Sequence, residues 1–126
     1  WYSAEVILEA VKNHHPLIGT CLDTGHLIRA AQLGKKLDPA GQIRIMGPRN
    51  YGLHLKDHDN QRKTDVIYGK GALDVPAVIR ALKEVKFNEK AHRGYISIEY
   101  EAHPDNPVPD MAACIEILKT AIRQVG

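Results

Sequence analysis

Cysteine is scarce in this chain of 126 residues: Cys21 and Cys114 are the only two, and they fall outside any CxxC spacing. They cannot build a disulfide framework, and a reducing, cytoplasmic compartment is the expectation. No apolar run approaches the ~20 residues that span a bilayer, so no membrane partner is expected. Charge of one sign is lacking too: 17 basic against 15 acidic residues leave a formal charge of +2. That balance gives no electrostatic basis for nucleic acid as a partner. Low-complexity segments and short internal repeats are absent. The chain does not open on methionine, and Trp1-Tyr2-Ser3 runs straight into a helical pattern. A beginning upstream of Trp1 is the expectation.

What is present suits one globular domain, with 44% apolar and 25% charged residues. Val6, Ile7, Ala10 and Val11 recur at helical spacing behind Ser3, a candidate N-cap, and this helix should end near 14–16. Leu17–Asp23 reads as a buried strand between Pro16 and Gly25. Leu27–Leu33 predicts a short helix closed by Gly34, and Asp38-Pro39 opens another that stops near Gly47-Pro48. Tyr51–Asp57 is the second strand, followed by a long polar loop over 58–72. Asp74-Val75-Pro76 starts a helix with Val75, Val78, Ile79, Leu82 and Val85 on one face. Tyr95–Glu101 is the third strand. After the loop 103–109, Asp110 is expected to cap a last helix carrying Met111, Cys114, Ile115, Leu118, Ala121 and Ile122 on one face.

Helices alternating with strands imply a parallel sheet covered by helices. One strand parity carries large aliphatics: Ile18 and Leu22, Leu53 and Leu55, Ile96 and Ile98. The other carries small or polar residues: Gly19, Cys21 and Asp23; Gly52, His54 and Lys56; Ser97, Glu99 and Glu101. A face that is small or polar and ends in ionisable groups fits the lumen of a (β/α)8 TIM barrel better than a doubly wound sheet. A barrel of that kind needs eight strands and about 250 residues. The expectation is therefore a single partial TIM-barrel domain over 1–126, the C-terminal part with about three strand–helix units. A self-contained or swapped α/β domain is the competing architecture.

Asp23, His54 and Glu99 stand at or near the C-terminal ends of the three strands, on one parity. Parallel packing brings those ends to one rim, where two carboxylates and an imidazole make a set of ligands for Mn²⁺, Mg²⁺, Co²⁺ or Zn²⁺. Read singly, Asp23 caps a helix, His54 is a core histidine and Glu99 an edge charge. Lys56 shares their parity and is placed either against an oxygen of the substrate or in a salt bridge with Asp57 or Glu101. Glu101 and His103 are fallback ligands should the register differ by two. His14, His15, His58 and His92 read as loop residues, and both cysteines as small buried hydrophobes.

Four strings, CLDTGH (Cys21–His26), LHLKDHD (Leu53–Asp59), GKGALDVPAVIRALKEVKF (Gly69–Phe87) and ISIEYE (Ile96–Glu101), resemble the xylose-isomerase-like sugar isomerase/epimerase superfamily. The resemblance runs over nearly the whole chain, in the order of the last three strands of that barrel. It implies that Asp23, His54 and Glu99 are three of four metal ligands, with Mn²⁺ the first candidate and a fourth ligand, a glutamate, upstream of Trp1. It also implies a sugar or polyol substrate, proton transfer beside a carbonyl through a cis-enediolate, and Glu99 as ligand and acid/base group at once. His26 matches a residue that contacts substrate oxygens. Many epimerases carry an arginine six residues after the metal histidine; Asn60 stands there, and Arg62 is the candidate to replace it.

Three alternatives stay open. A sugar-acid or inosose dehydratase of the same superfamily shares the proton abstraction. An endonuclease IV-like repair enzyme would need an Asp-x-His pair in the loop, where Asp65-Val66-Ile67-Tyr68-Gly69 stands. A non-catalytic barrel fragment is the third. A homo-oligomer is compatible with all of these.

Overall fold

Four helices open on side chains that cap them, as the sequence signals predict. In the computed structural model, which describes residues 3–87, 89 and 94–126, Ser3 caps α1 (Ala4–Val11), its hydroxyl accepting from Val6 N at 3.4 Å. Asp23 caps α2 (Thr24–Arg29), which runs on into a 3₁₀ turn over Ala30–Leu33. Gly34 closes that turn at φ 71, in the left-handed region that costs glycine little. Asp38 caps α3 (Pro39–Met46) and Asp74 caps α4 (Val75–Glu84), both with proline in the first turn.

The last helix departs from expectation. α5 spans Val108–Val125 with Pro107 at its N-cap and no side-chain cap; Asp110 lies inside the first turn. Its carboxylate accepts instead from the Tyr100 hydroxyl and lies 2.9 Å from His103 Nδ1. Two groups brought in by the preceding loop compete with the helix amides and win.

Three parallel strands, β1 (Thr20–Asp23), β2 (Asn50–Leu55) and β5 (Tyr95–Ile98), form one sheet in the order β1-β2-β5. The register sets Asp23 beside His54 and His54 beside Ser97, and Glu99 N extends the ladder by bonding to Leu55 O at 3.0 Å. The strands are shorter than read from the sequence, since Leu17 and Ile18 lie before β1 and are exposed. Leu22, Leu53 and Leu55 point into a core with Ile43 and Met46 of α3, Val78 and Leu82 of α4 and Cys114 of α5. Helices thus cover one sheet face, and burial of these side chains at roughly 25 cal/mol per Å² drives the layering.

The segment read as a loop holds a small antiparallel hairpin, β3 (Asp57–Asp59) with β4 (Thr64–Val66). Its turn is closed by Asp59 Oδ1, which accepts from Gln61 N at 2.8 Å and Arg62 N at 3.1 Å. Such local side-chain bonding leaves little hydrophobic periodicity to see in advance. Cys114 is buried as expected, whereas Cys21 is exposed on the open sheet face. Trp1, Tyr2 and His92 lie outside the described residues.

Candidate metal centre

The open face of the sheet ends in a cluster. Ligand atoms of Asp23, His54 and Glu99 all lie within 4.8 Å of one another, and this is the one such group among the described residues. His54 Nδ1 stands 2.6 Å from Glu99 Oε2 and 3.9 Å from Asp23 Oδ2. Asp23 comes from the last position of β1, His54 from β2, and Glu99 from the residue after β5. Thr24, fully buried, stitches the rim together: its hydroxyl donates to Lys56 O at 2.7 Å and accepts from Lys56 N at 2.8 Å.

Asp23 performs two tasks at once. Its Oδ1 accepts from His26 N at 3.0 Å as the helix cap, while Oδ2 faces His54. Its helix-capping reading is therefore correct and compatible with a ligand role, because each carboxylate oxygen has its own lone pairs.

Lys56 lies behind the cluster rather than in front of it. The residue is 1% exposed, and its Nζ stands 2.6 Å from Glu99 Oε1, 2.6 Å from Glu101 Oε2 and 3.8 Å from Asp65 Oδ2. Of the two salt bridges foreseen, the one with Glu101 forms. The one with Asp57 does not, because the Asp57 carboxylate accepts four backbone N–H groups, from His58, Gly69, Gly71 and Leu73. Burial works against the charge of Lys56, yet its bonds to Glu101 and Glu99, with Asp65 and Asp23 nearby, push its pKa up. Burial likewise tends to raise the Glu99 carboxyl, and the Lys56 ammonium with His54 outweighs it, leaving Glu99 below the usual carboxylate range.

Donor chemistry allows a test for a metal here. Two carboxylates and one imidazole, gathered half-open at the ends of parallel strands, fit Mn²⁺, Mg²⁺, Co²⁺ or Zn²⁺. Glu99 is held ionised as a ligand must be.

A family model described as "Xylose isomerase-like TIM barrel" matches residues 1–121. The chain belongs to the xylose isomerase-like TIM-barrel family. A solved structure titled "Structure of L-ribulose 3-epimerase" superposes with a TM-score of 0.66 at 15% identity, covering 98% of this chain and 43% of that one. This chain therefore spans less than half the length of that neighbour. No curated protein matches the chain significantly. The parallel α/β fold with part of a TIM barrel, read from strand parity, is the fold found.

Within this family member, the remaining site candidates are spread around the rim. His26 is 67% exposed in its side chain, with Nε2 3.8 Å from Asp23 Oδ2. Arg62 projects from the hairpin turn, its Nε 3.6 Å from Asp59 Oδ2, and pairs there rather than with the triad. Asn60 instead ties the hairpin to α2, donating to Ile28 O and accepting from Gln32 Nε2, both at 3.1 Å. His103 pairs with Asp110 and Glu101 with Lys56, so neither fallback ligand joins the cluster.

One residue read as an ordinary loop histidine has a different place. His58 is buried in β3, with Nδ1 3.0 Å from Asp65 Oδ1. The other oxygen of Asp65 accepts from Glu101 N at 3.0 Å. The only signal in the sequence was the strand parity that His58 shares with Lys56 and His54, and the hairpin had to be foreseen for it to count.

Proposed function

We propose that the intact protein is a metal-dependent sugar isomerase or epimerase that moves a proton beside a carbonyl. The observation that carries this reading is the convergence of Asp23, His54 and Glu99 within 4.8 Å at the C-terminal rim of the strands, where TIM-barrel enzymes hold their chemistry. Asp23, His54 and Glu99 would hold a divalent ion, Mn²⁺ first, with a glutamate from an upstream strand as fourth ligand. When bound, such an ion draws electron density from two adjacent sugar oxygens and favours the enediolate.

The chain's own residues then have distinct tasks. Lys56 takes one lone pair of Glu99 Oε1 and leaves the other, while Oε2 faces His54. Glu99, so oriented, is the group that takes the proton from the substrate carbon. The C–H electron pair moves into the new carbon–carbon double bond as the carbonyl oxygen becomes an alkoxide. Return of a proton to the opposite face of the same carbon gives the epimer; return to the former carbonyl carbon, with the proton of the neighbouring hydroxyl passing to the alkoxide oxygen, gives the isomer. His26, at the mouth of the cluster, is the donor to substrate oxygens, and Arg62 would reach them from the hairpin. The two free cysteines accord with a cytoplasmic setting.

The test is solvent deuterium uptake. With Mn²⁺ and a panel of ketoses in D₂O, the full-length protein should exchange the hydrogen beside the carbonyl, and EDTA should stop it. Metal-independent exchange, or release of water from a sugar acid instead, would reject the isomerase reading, the second in favour of a dehydratase.

A further inference from the structure

The hairpin that follows β2 reaches back to the metal centre through one buried carboxylate. Asp65 lies on β4, directly opposite His58 of β3, and its side chain is 5% exposed. Its two oxygens face different partners. Oδ1 stands 3.0 Å from His58 Nδ1, inside the hairpin. Oδ2 accepts from Glu101 N at 3.0 Å and lies 3.8 Å from Lys56 Nζ, both outside it.

The bond to Glu101 N carries the sheet past its own end. Glu99 N donates to Leu55 O at 3.0 Å, at the last residue of β2. In a parallel ladder the next bond of this set, two residues on, would run from Glu101 N to Asp57 O. Asp57 has by then turned into the hairpin, where it pairs with Val66. The Asp65 carboxylate takes its place as acceptor, so the backbone is held on both sides of the Glu99 side chain. The ion pair serves the side chain itself. Lys56 Nζ reaches Glu99 Oε1 at 2.6 Å, so Asp65 touches both the group that tethers Glu99 and the segment that bears it. An anionic partner suits an ammonium sealed from solvent, and groups behind a metal ligand set its aim.

We propose that Asp65 is a positioning residue of the metal centre, aiming Glu99 through Lys56 and the Glu101 amide. The proposal rests on the metal-centre reading for its effect on the reaction, but not for its hold on Glu99. The hairpin thereby becomes part of the frame of the site, with His58 fixing the Asp65 carboxylate from the other side.

The experiment compares the intact protein with its Asp65→Asn and His58→Phe variants. Asp65→Asn leaves one oxygen for two donors and removes the charge beside Lys56, whereas His58→Phe empties only the Oδ1 side. In metal-free protein, amide hydrogen exchange read by NMR should run at least about tenfold faster at Glu99 and Glu101 in Asp65→Asn, with Ser97 unchanged. Co²⁺ titration should show binding weakened at least about tenfold and an altered visible absorption band, as expected for losing a group behind a ligand. His58→Phe should leave all of these readings near wild type. Asp65→Ser, smaller and with one oxygen, serves the same comparison should Asp65→Asn fail to fold. Unchanged exchange at Glu99 in the Asp65 variant overturns the proposal. Equal acceleration by His58→Phe also overturns it, leaving Asp65 a residue of the hairpin alone. Absent Co²⁺ binding by wild type condemns the metal centre, and amide exchange still decides whether Asp65 holds Glu99.

Discussion

The Lys56 ammonium and the Glu99 carboxylate meet at 2.6 Å, with the lysine sealed from solvent and the glutamate on the open rim. Glu99 is therefore tethered from behind, and its orientation toward His54 depends on a cation that no solvent screens. Gly25 makes this possible, since a Cβ there would collide with the Lys56 side chain. Lys56→Met should destabilise the fold by about 3 kcal/mol, the lower end for breaking a buried pair, because Glu101 remains solvated. Denaturant unfolding measures it, and a loss under about 1 kcal/mol would show the network to be incidental.

Helix capping and metal binding by Asp23 can be separated. Asp23→Asn keeps an oxygen for His26 N and should hold the melting temperature while Mn²⁺ affinity falls by an order of magnitude or more. Asp23→Ala should lose metal binding and about 1 kcal/mol of stability together. His54→Ala should abolish metal-dependent activity without unfolding the chain. Calorimetric Mn²⁺ titration beside thermal melts decides each case, and activity kept at full metal occupancy in either alanine variant would refute the ligand assignment.

Asp57 anchors the loop that leads into α4. Its carboxylate accepts from Gly69 and Gly71 N through Oδ2 and from Leu73 and His58 N through Oδ1. Removing a 1%-exposed carboxylate would leave those amides without a partner. Asp57→Ala should therefore cost about 4 kcal/mol, near the upper end for single substitutions. Gly71→Ala should be damaging as well, since a Cβ would strike Asp57 and the His58 backbone. Equilibrium unfolding of both variants checks this, and near-native stability of Asp57→Ala would mean the loop finds other partners.

The contact between Tyr100 and Asp110 should set a pH window. Hydrogen bonds from Tyr100 and His103 hold the Asp110 carboxyl below its usual value. Its contribution is complete above the unfolded carboxylate pKa of about 3.9 and is lost as pH falls through the lower folded value. Burial and the bond to Asp110 push the Tyr100 phenol up to about 12. That contribution is complete below the unfolded value of about 10 and is lost as pH rises through the folded one. Subtracting the Tyr100→Phe melting curve from wild type should leave a plateau between these limits that falls at both ends. A flat difference would exclude the contact from stability.

Much of the local structure was legible because its causes are local. Ser3, Asp38 and Asp74 announce helices through a side chain and an amide three residues apart, and one strand parity announces a polar face. Asp23, His54 and Glu99 could be placed on one rim because parallel strands align their ends. What stayed hidden depends on partners distant in the chain. Asp110 left the cap position for Tyr100 and His103, delivered by a loop. The site of Lys56 was decided by Glu99 and Glu101, at separations of 43 and 45 residues in the chain. His58 became a buried residue only when the hairpin formed and Asp65 came opposite it. Periodicity and capping thus determined which faces are polar and where helices begin. Only tertiary packing decided which charges are buried together, because a buried charge is tolerated where its partner already stands.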